Sequence, residues 1–151
     1  MKTRLILISL ILLSFLTACV KDEIYKGAPS VSELAINPAA PITDEAVTVT
    51  AKVTDLDGVT SVKLYYKVGE TGSFTSVSMS LQNGSTQIYE GQIPGQAGGV
   101  TVNYYVEATN KSGLTAVAAA EAPANTAAYT IGAPLILLNE VYSRGVVEDP
   151  D

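Results

Sequence analysis

The chain has 151 residues, with 15 Asp and Glu against 9 Lys and Arg, no His, no Trp and a single Cys. A formal net charge of −6 argues against a nucleic-acid partner, because polyanions are bound by basic surfaces. Without His, and with one Cys, the composition excludes an internal disulfide, zinc sites built on Cys or His, and His-based catalytic triads. The length allows one ordinary domain with its own apolar core.

Residues 1–18 have the pattern of a secretory signal peptide. Lys2 and Arg4 give a positive start, and residues 5–16 are almost wholly aliphatic. This run is too short to span a bilayer comfortably, and small residues before the cleavage point are typical of signal peptides. The sequence therefore predicts export. Removal of residues 1–18 takes away two basic and no acidic residues, so the net charge becomes about −8.

The motif Leu16-Thr17-Ala18-Cys19 resembles a bacterial lipobox. The resemblance implies cleavage before Cys19, a diacylglycerol on its sulfur and a fatty acyl group such as palmitate on its new amino group. Two or more acyl chains anchor a protein stably, so the membrane is the first expected partner. The alternative is a plain signal peptide with a chance cysteine.

Lys21-Asp22-Glu23 resembles the signal that sends some Gram-negative lipoproteins to the cell surface. The resemblance implies an outer-membrane, lipid-anchored and surface-exposed protein. The alternative is a solvated tether, since residues 19–29 show no apolar period. We therefore expect residues 19–29 to form a flexible, lipidated tether.

From residue 30 onward the sequence alternates between apolar and polar residues in short runs separated by turn residues. This pattern is typical of half-buried β-strands. It predicts seven strands, at residues 34–36, 45–54, 62–68, 74–81, 87–93 and 100–108, with the last strand, in one or two pieces, from residues 114–117 and 128–131. The longest inward rows lie at residues 47–53 and 100–108, which predicts that they form the centre of the core. Asn83-Gly84 is the strongest hairpin signal.

Seven evenly spaced strands without a helical period predict an all-β antiparallel sandwich over residues 30–132. Tyr104-x-Val106-x-Ala108-x-Asn110-x-x-Gly113 is similar to a strand signature of fibronectin type III domains. The pattern from Tyr89 to Ile93-Pro94-Gly95, followed by Val102-x-Tyr104-Tyr105-Val106, resembles the immunoglobulin-like spacers of bacterial surface lipoproteins. The resemblance implies a corner tyrosine at Tyr104 whose hydroxyl bonds back to the chain. Because the usual core Trp is missing, Tyr66, Tyr89 and aliphatic residues are expected to fill its space.

The segment Leu135-Ile136-Leu137-Leu138-Asn139-Glu140-Val141 resembles the opening strand of lamin-tail domains. The resemblance implies that residues 133–151 are a linker and the start of such a domain, truncated at residue 151. The alternative is an apolar tail that pairs with an edge of the sandwich.

Oxygen ligands are the only candidates for metal binding. Asp55 and Asp57, with Asn110 or Asp44, would form a calcium site if they met at one end of the sandwich. The favoured alternative is a hydrated turn, because Asp and Asn populate turns for backbone reasons. Two carboxylates in one exposed turn lack the separate environments that acid–base catalysis requires. We therefore expect no enzyme activity and no cofactor.

Tyr65 and Tyr105 are predicted on the outward face of the sheet, where tyrosine rings stack on sugars or on partner proteins. More often such rings simply cover the sheet. Two functions remain open from the sequence. The first is a non-catalytic surface spacer or adhesion module, and the second is the first domain of a glycan-binding lipoprotein that serves nutrient uptake.

Overall fold

The computed structural model describes residues 27–119 and 121–133, and these residues form a sandwich of two antiparallel sheets. The predicted all-β sandwich is confirmed. The described residues contain nine strands, which are β1 (Ser30–Asn37), β2 (Val47–Thr54), β3 (Val59–Val68), β4 (Thr75–Ser78), β5 (Ser80–Leu81), β6 (Ile88–Ile93), β7 (Thr101–Asn110), β8 (Thr115–Ala118) and β9 (Ala127–Thr130). The predicted count of seven is thus corrected to nine.

One difference comes from the predicted strand at residues 74–81, which divides at Met79. β4 pairs with β3, whereas β5 pairs with β6 in the opposite sheet. The Met79 amide still donates to the Val62 carbonyl at 2.9 Å, and its side chain is buried between the sheets. The alternating pattern runs on through this change of sheet, because the pattern reports burial and carries no information on which strand accepts the hydrogen bonds.

The other difference is at the end of the domain, where the last strand does lie in two pieces. The sheet orders are β1-β2-β6-β5 and β4-β3-β7-β8, and β9 also pairs with β7. β8 pairs with the half of β7 that runs from Val106 to Thr109, and β9 pairs with the half from Thr101 to Tyr104. The two short strands therefore lie end to end along one edge of β7.

The core is formed by the inward rows of β2 and β7, which face each other from opposite sheets. Burial of this many aliphatic side chains, each contributing about 1.5–3 kcal/mol, drives the packing of the sheets. The buried members include Val47, Val49, Ala51 and Val53 of β2, and Val102, Tyr104, Val106 and Ala108 of β7. Val100, predicted to begin the second row, precedes β7 and is only partly buried.

Aromatic and long side chains fill the space that an indole would occupy. Leu64, Met79, Tyr104 and Tyr129 are buried in the core, whereas Tyr66 and Tyr89 pack against it from the margin. Tyr104 faces inward as predicted, but among the described residues its hydroxyl makes no hydrogen bond to the chain. The corner-tyrosine bond implied by the fibronectin resemblance is therefore not formed in the described residues.

The chain enters the sandwich at one end and leaves it at the other. At the first end, called here the tethered end, the Asn110 side-chain amide donates to the Gly27 carbonyl at 2.9 Å. At the opposite end, called the exit end, the Gly132 amide donates to the Pro41 carbonyl at 2.9 Å. β7 runs between these ends, and its ten residues span about 30 Å.

Candidate functional site

Four of the predicted functional residues lie outside the described residues. They are Cys19, predicted to carry the lipid, and Lys21, Asp22 and Glu23, predicted to direct surface export. None of the described residues belongs to a helix that could cross a membrane. The lamin-tail resemblance at residues 135–141 also lies outside the described part of the chain.

The two outward tyrosines are brought together as cross-strand neighbours. Tyr65 of β3 and Tyr105 of β7 are directly opposite in the register, and their rings stack with centroids 4.8 Å apart and planes 7° from parallel. Phe74, just before β4, meets Tyr105 edge-on at a centroid distance of 5.1 Å. These three rings are called the aromatic cluster. Stacked and edge-on aromatic pairs stabilise by roughly 0.5–1.5 kcal/mol beyond their buried area.

The aromatic cluster corrects part of the prediction for Tyr105. Its side chain does face outward, but Tyr65 and Phe74 lie against it, and only 9% of its surface is exposed. A partner would therefore meet the partly exposed Tyr65 and Phe74, while Tyr105 supports them from below. Phe74 was missed as a site residue, although it opens the predicted strand at residues 74–81 and alternation with the buried Met79 would place it on the outward face.

Charged and polar groups surround the aromatic cluster. The Lys67 ammonium lies 5.4 Å from the centre of the Phe74 ring and donates to the Glu70 carbonyl at 3.1 Å. The Tyr65 hydroxyl donates to Glu107 Oε1 at 3.4 Å. Asn103 of β7 lies opposite Lys67 in the register, and its side-chain amide donates to the Gly69 carbonyl at 3.1 Å. The outer face thus offers two half-exposed rings framed by a cation, a carboxylate and an amide.

Both tyrosines of this face keep their phenolic protons at neutral pH. Desolvation by the surrounding side chains raises the pKa of Tyr65, and the charge and hydrogen bond of Glu107 raise it further. Desolvation also raises the pKa of Tyr105, with smaller contributions from Tyr65 and Glu107. The phenols therefore act as neutral hydrogen-bonding rings, which suits stacking and excludes a role as a phenolate base near pH 7.

The predicted calcium ligands are only partly brought together. Asp55, Asp57 and Asn110 meet at the tethered end, whereas Asp44 lies at the exit end, where its amide donates to the Gln96 carbonyl. Asp55 Oδ1 accepts from the Asp57 amide at 2.8 Å, and Asp55 Oδ2 accepts from the Asn110 amide at 3.1 Å. Asp57 Oδ2 accepts from the Ser112 hydroxyl at 2.7 Å.

These carboxylate oxygens therefore already accept hydrogen bonds, two of which join the turn after β2 to β7 and the turn that follows it. Among the described residues, no three His, Cys, Asp or Glu side chains come close enough together to hold a metal ion. The geometry favours a hydrogen-bonded turn over a calcium site, because three of the four carboxylate oxygens already accept internal hydrogen bonds that would compete with a cation.

Comparison with known proteins adds little to this geometry. No protein-family model matches the chain, and no curated protein matches it. The crystal structure of a Br derivative of BhCBM56 is similar over 69% of this chain and 99% of that chain, with a TM-score of 0.45 and 18% sequence identity. Neither the fold described above nor the aromatic cluster rests on this similarity.

Proposed function

We propose that this chain is a non-catalytic, lipid-anchored spacer or adhesion module at the outer membrane, which holds the segment after Ala133 away from the lipid. The observation that carries the proposal is the position of the two chain ends of the sandwich. The tether arrives at Gly27 and the chain departs after Gly132 at the opposite end, about 30 Å away along β7. Because its two chain ends lie at opposite ends, the domain increases the distance between the membrane and the segment that follows it.

At both ends the chain is hydrogen-bonded to the sandwich, as a spacer requires. Gly27 is held by the buried Asn110 side chain, and Gly132 is held by the Pro41 carbonyl. Ile42 and Gly132 also form a parallel bridge, and the Thr43 hydroxyl donates to the Gly132 carbonyl at 3.4 Å. Gly27 and Gly132 therefore both belong to the folded domain.

The spacer geometry is tested by the height of each end above a bilayer. Ser30 and Thr130 are both exposed strand residues, one near the tethered end and one near the exit end. A fluorescent donor on Ser30→Cys should transfer energy to acceptor lipids much more efficiently than the same donor on Thr130→Cys. Equal transfer from the two positions would mean that the domain lies flat, and the spacer proposal would then be abandoned.

The proposed anchor is tested separately. Cys19→Ser should abolish incorporation of a palmitate analogue, because neither the diacylglycerol nor the amino-terminal acyl group can attach without the cysteine. Labelling of the mutant at the level of the parent would disprove lipidation at this residue.

Export to the cell surface is proposed to depend on Lys21, Asp22 and Glu23. Replacement of all three by Ala should reduce digestion by protease on intact cells while the total membrane-bound protein is unchanged. If surface digestion is unaffected, these charges serve only as a tether.

A second candidate function is glycan binding, and the aromatic cluster is the specific observation that favours it. Half-exposed rings beside hydrogen-bonding groups are the usual way in which proteins hold the apolar faces and hydroxyls of sugars. Retardation of the protein in polysaccharide-containing gels would reveal binding, and Tyr65→Ala and Phe74→Ala should remove it. Lys52→Ala, on the outer face of the other sheet, is the matched control and should leave it intact.

A further inference from the structure

We infer that the tethered end of the sandwich touches the lipid surface through Leu56 and Leu114. The inference rests on the proposed lipid anchor and goes beyond the spacer role, because it assigns a face of the domain and a partner. The partner is the surface of the membrane that holds the anchor. Contact at this end would set the domain upright and stop it from pivoting about its tether.

The two leucines are exposed at the same end of the molecule. Leu56 is 81% exposed and Leu114 is 41% exposed. Leu56 belongs to the turn between β2 and β3, and Leu114 belongs to the turn between β7 and β8. These two turns are joined, because the Ser112 hydroxyl donates to Asp57 at 2.7 Å and the Lys111 amide donates to the Gly58 carbonyl at 3.1 Å.

Leu56 also lies beside the point where the tether arrives. It lines a shallow open cleft together with Gly27, Ala28 and Ser30. Only eight residues of chain advance from Cys19 to Gly27, so even fully extended this segment reaches about 29 Å. An anchor at Cys19 therefore keeps the tethered end within about 29 Å of the lipid. At such high effective concentration, a weak apolar contact is sufficient to orient the domain.

The charges at the tethered end decide which lipid surface fits. Asp55 and Asp57 lie beside Leu56, and their oxygens accept hydrogen bonds from Asn110, Ser112 and the turn backbone. Lys111 is the exposed cation of the facing turn. Two carboxylates against one ammonium weaken contact with an anionic surface, so the apolar contact should be strongest on an uncharged or zwitterionic bilayer.

The test uses the chain from Val20 onward with an N-terminal hexahistidine tag, held on phosphatidylcholine vesicles that contain a small share of nickel-chelating lipid. An environment-sensitive fluorophore is placed on Ser30→Cys, beside Leu56, or on Thr130→Cys at the exit end. We expect vesicle binding to shift the emission of the Ser30 probe to the blue and to raise it roughly twofold, because the probe leaves bulk water. The Thr130 probe should not change.

A second variant tests whether the shift is caused by the two leucines and not only by the closeness of the probe to the vesicle. Leu56→Ser combined with Leu114→Ser should abolish the shift of the Ser30 probe while the tagged protein stays fully bound to the vesicles. The absence of a shift in the parent, or a shift that persists in the double variant, would overturn the inference. Because the tag replaces the acyl anchor, neither outcome depends on lipidation of Cys19, and the measured heights of the two ends remain a separate test of the spacer role.

Discussion

Asn110, at the end of β7, donates a hydrogen bond of 2.9 Å to the carbonyl of Gly27, which lies 83 residues earlier in the chain. The same buried side chain donates to Asp55, and its oxygen accepts from the amides of Ser112 and Leu114 at 3.1 and 2.9 Å. One amide therefore joins the arriving tether, the turn after β2 and the turn after β7.

Asn110→Ala should destabilise the domain by about 2–3 kcal/mol, because it leaves several polar groups at a buried position without partners. Asn125→Ala, in an exposed turn, should change stability by no more than about 0.5 kcal/mol. Urea titration of both variants measures the difference. Equal stability of the two variants would show that the Asn110 bonds contribute nothing net to folding.

Tyr104→Ala should destabilise the domain by about 3–5 kcal/mol, because it leaves a cavity between the two sheets. Tyr105→Ala should be the milder change, because its ring packs on the outer face against Tyr65 and Phe74 and is not part of the core between the sheets. Denaturant titration compares the two variants, and a larger loss for Tyr105→Ala would mean that the strand faces are reversed.

Removal of the Tyr129 hydroxyl should not harm the fold. This phenol oxygen is buried and has no hydrogen-bond partner among the described residues. Tyr129→Phe is therefore expected to leave stability at neutral pH unchanged or to raise it by up to about 1 kcal/mol. Thermal unfolding near pH 7 tests this, and a clear loss of stability would show that the hydroxyl has a partner after all.

The same variant should alter the alkaline unfolding of the protein. Burial, together with Tyr104 and Tyr66, raises the pKa of Tyr129 from 10.0 to about 12. Between these values the unfolded chain releases a proton that the folded chain keeps, so stability falls as the pH rises above about 10. Tyr129→Phe removes this contribution, and its stability should decline less steeply between pH 10 and pH 12. Identical slopes would contradict the raised pKa.

Calcium should not stabilise the sandwich. The carboxylate oxygens of Asp55 and Asp57 that face Asn110 and Ser112 already accept hydrogen bonds. The unfolding midpoint is therefore expected to stay the same in calcium, in chelator and in reductant. A rise of several degrees in calcium that is lost in Asp57→Asn would instead identify a metal site at this turn.

Much of the strand layout was predictable from the local sequence. The rows at residues 47–53 and 102–108 alternate without interruption, and a half-buried strand is the only regular structure with a period of two. Tyr104 and Tyr105 could be assigned to opposite faces for the same reason. The Asp55-Leu56-Asp57-Gly58 turn and the hairpin at Asn83-Gly84 were likewise recognisable from residue type alone.

The sequence by itself therefore determined the all-β class, the inward rows and the turns, because these depend on neighbouring residues within one strand. Only the tertiary structure decided that the chain changes sheets at Met79, since hydrogen-bond partners are not encoded in the alternation of burial. Tertiary structure also buried Tyr105, because the rings of Tyr65 on β3 and of Phe74 just before β4 pack against it. In the same way it brought Gly27 to Asn110 and Gly132 to Pro41, which are contacts between distant segments that no local pattern reports.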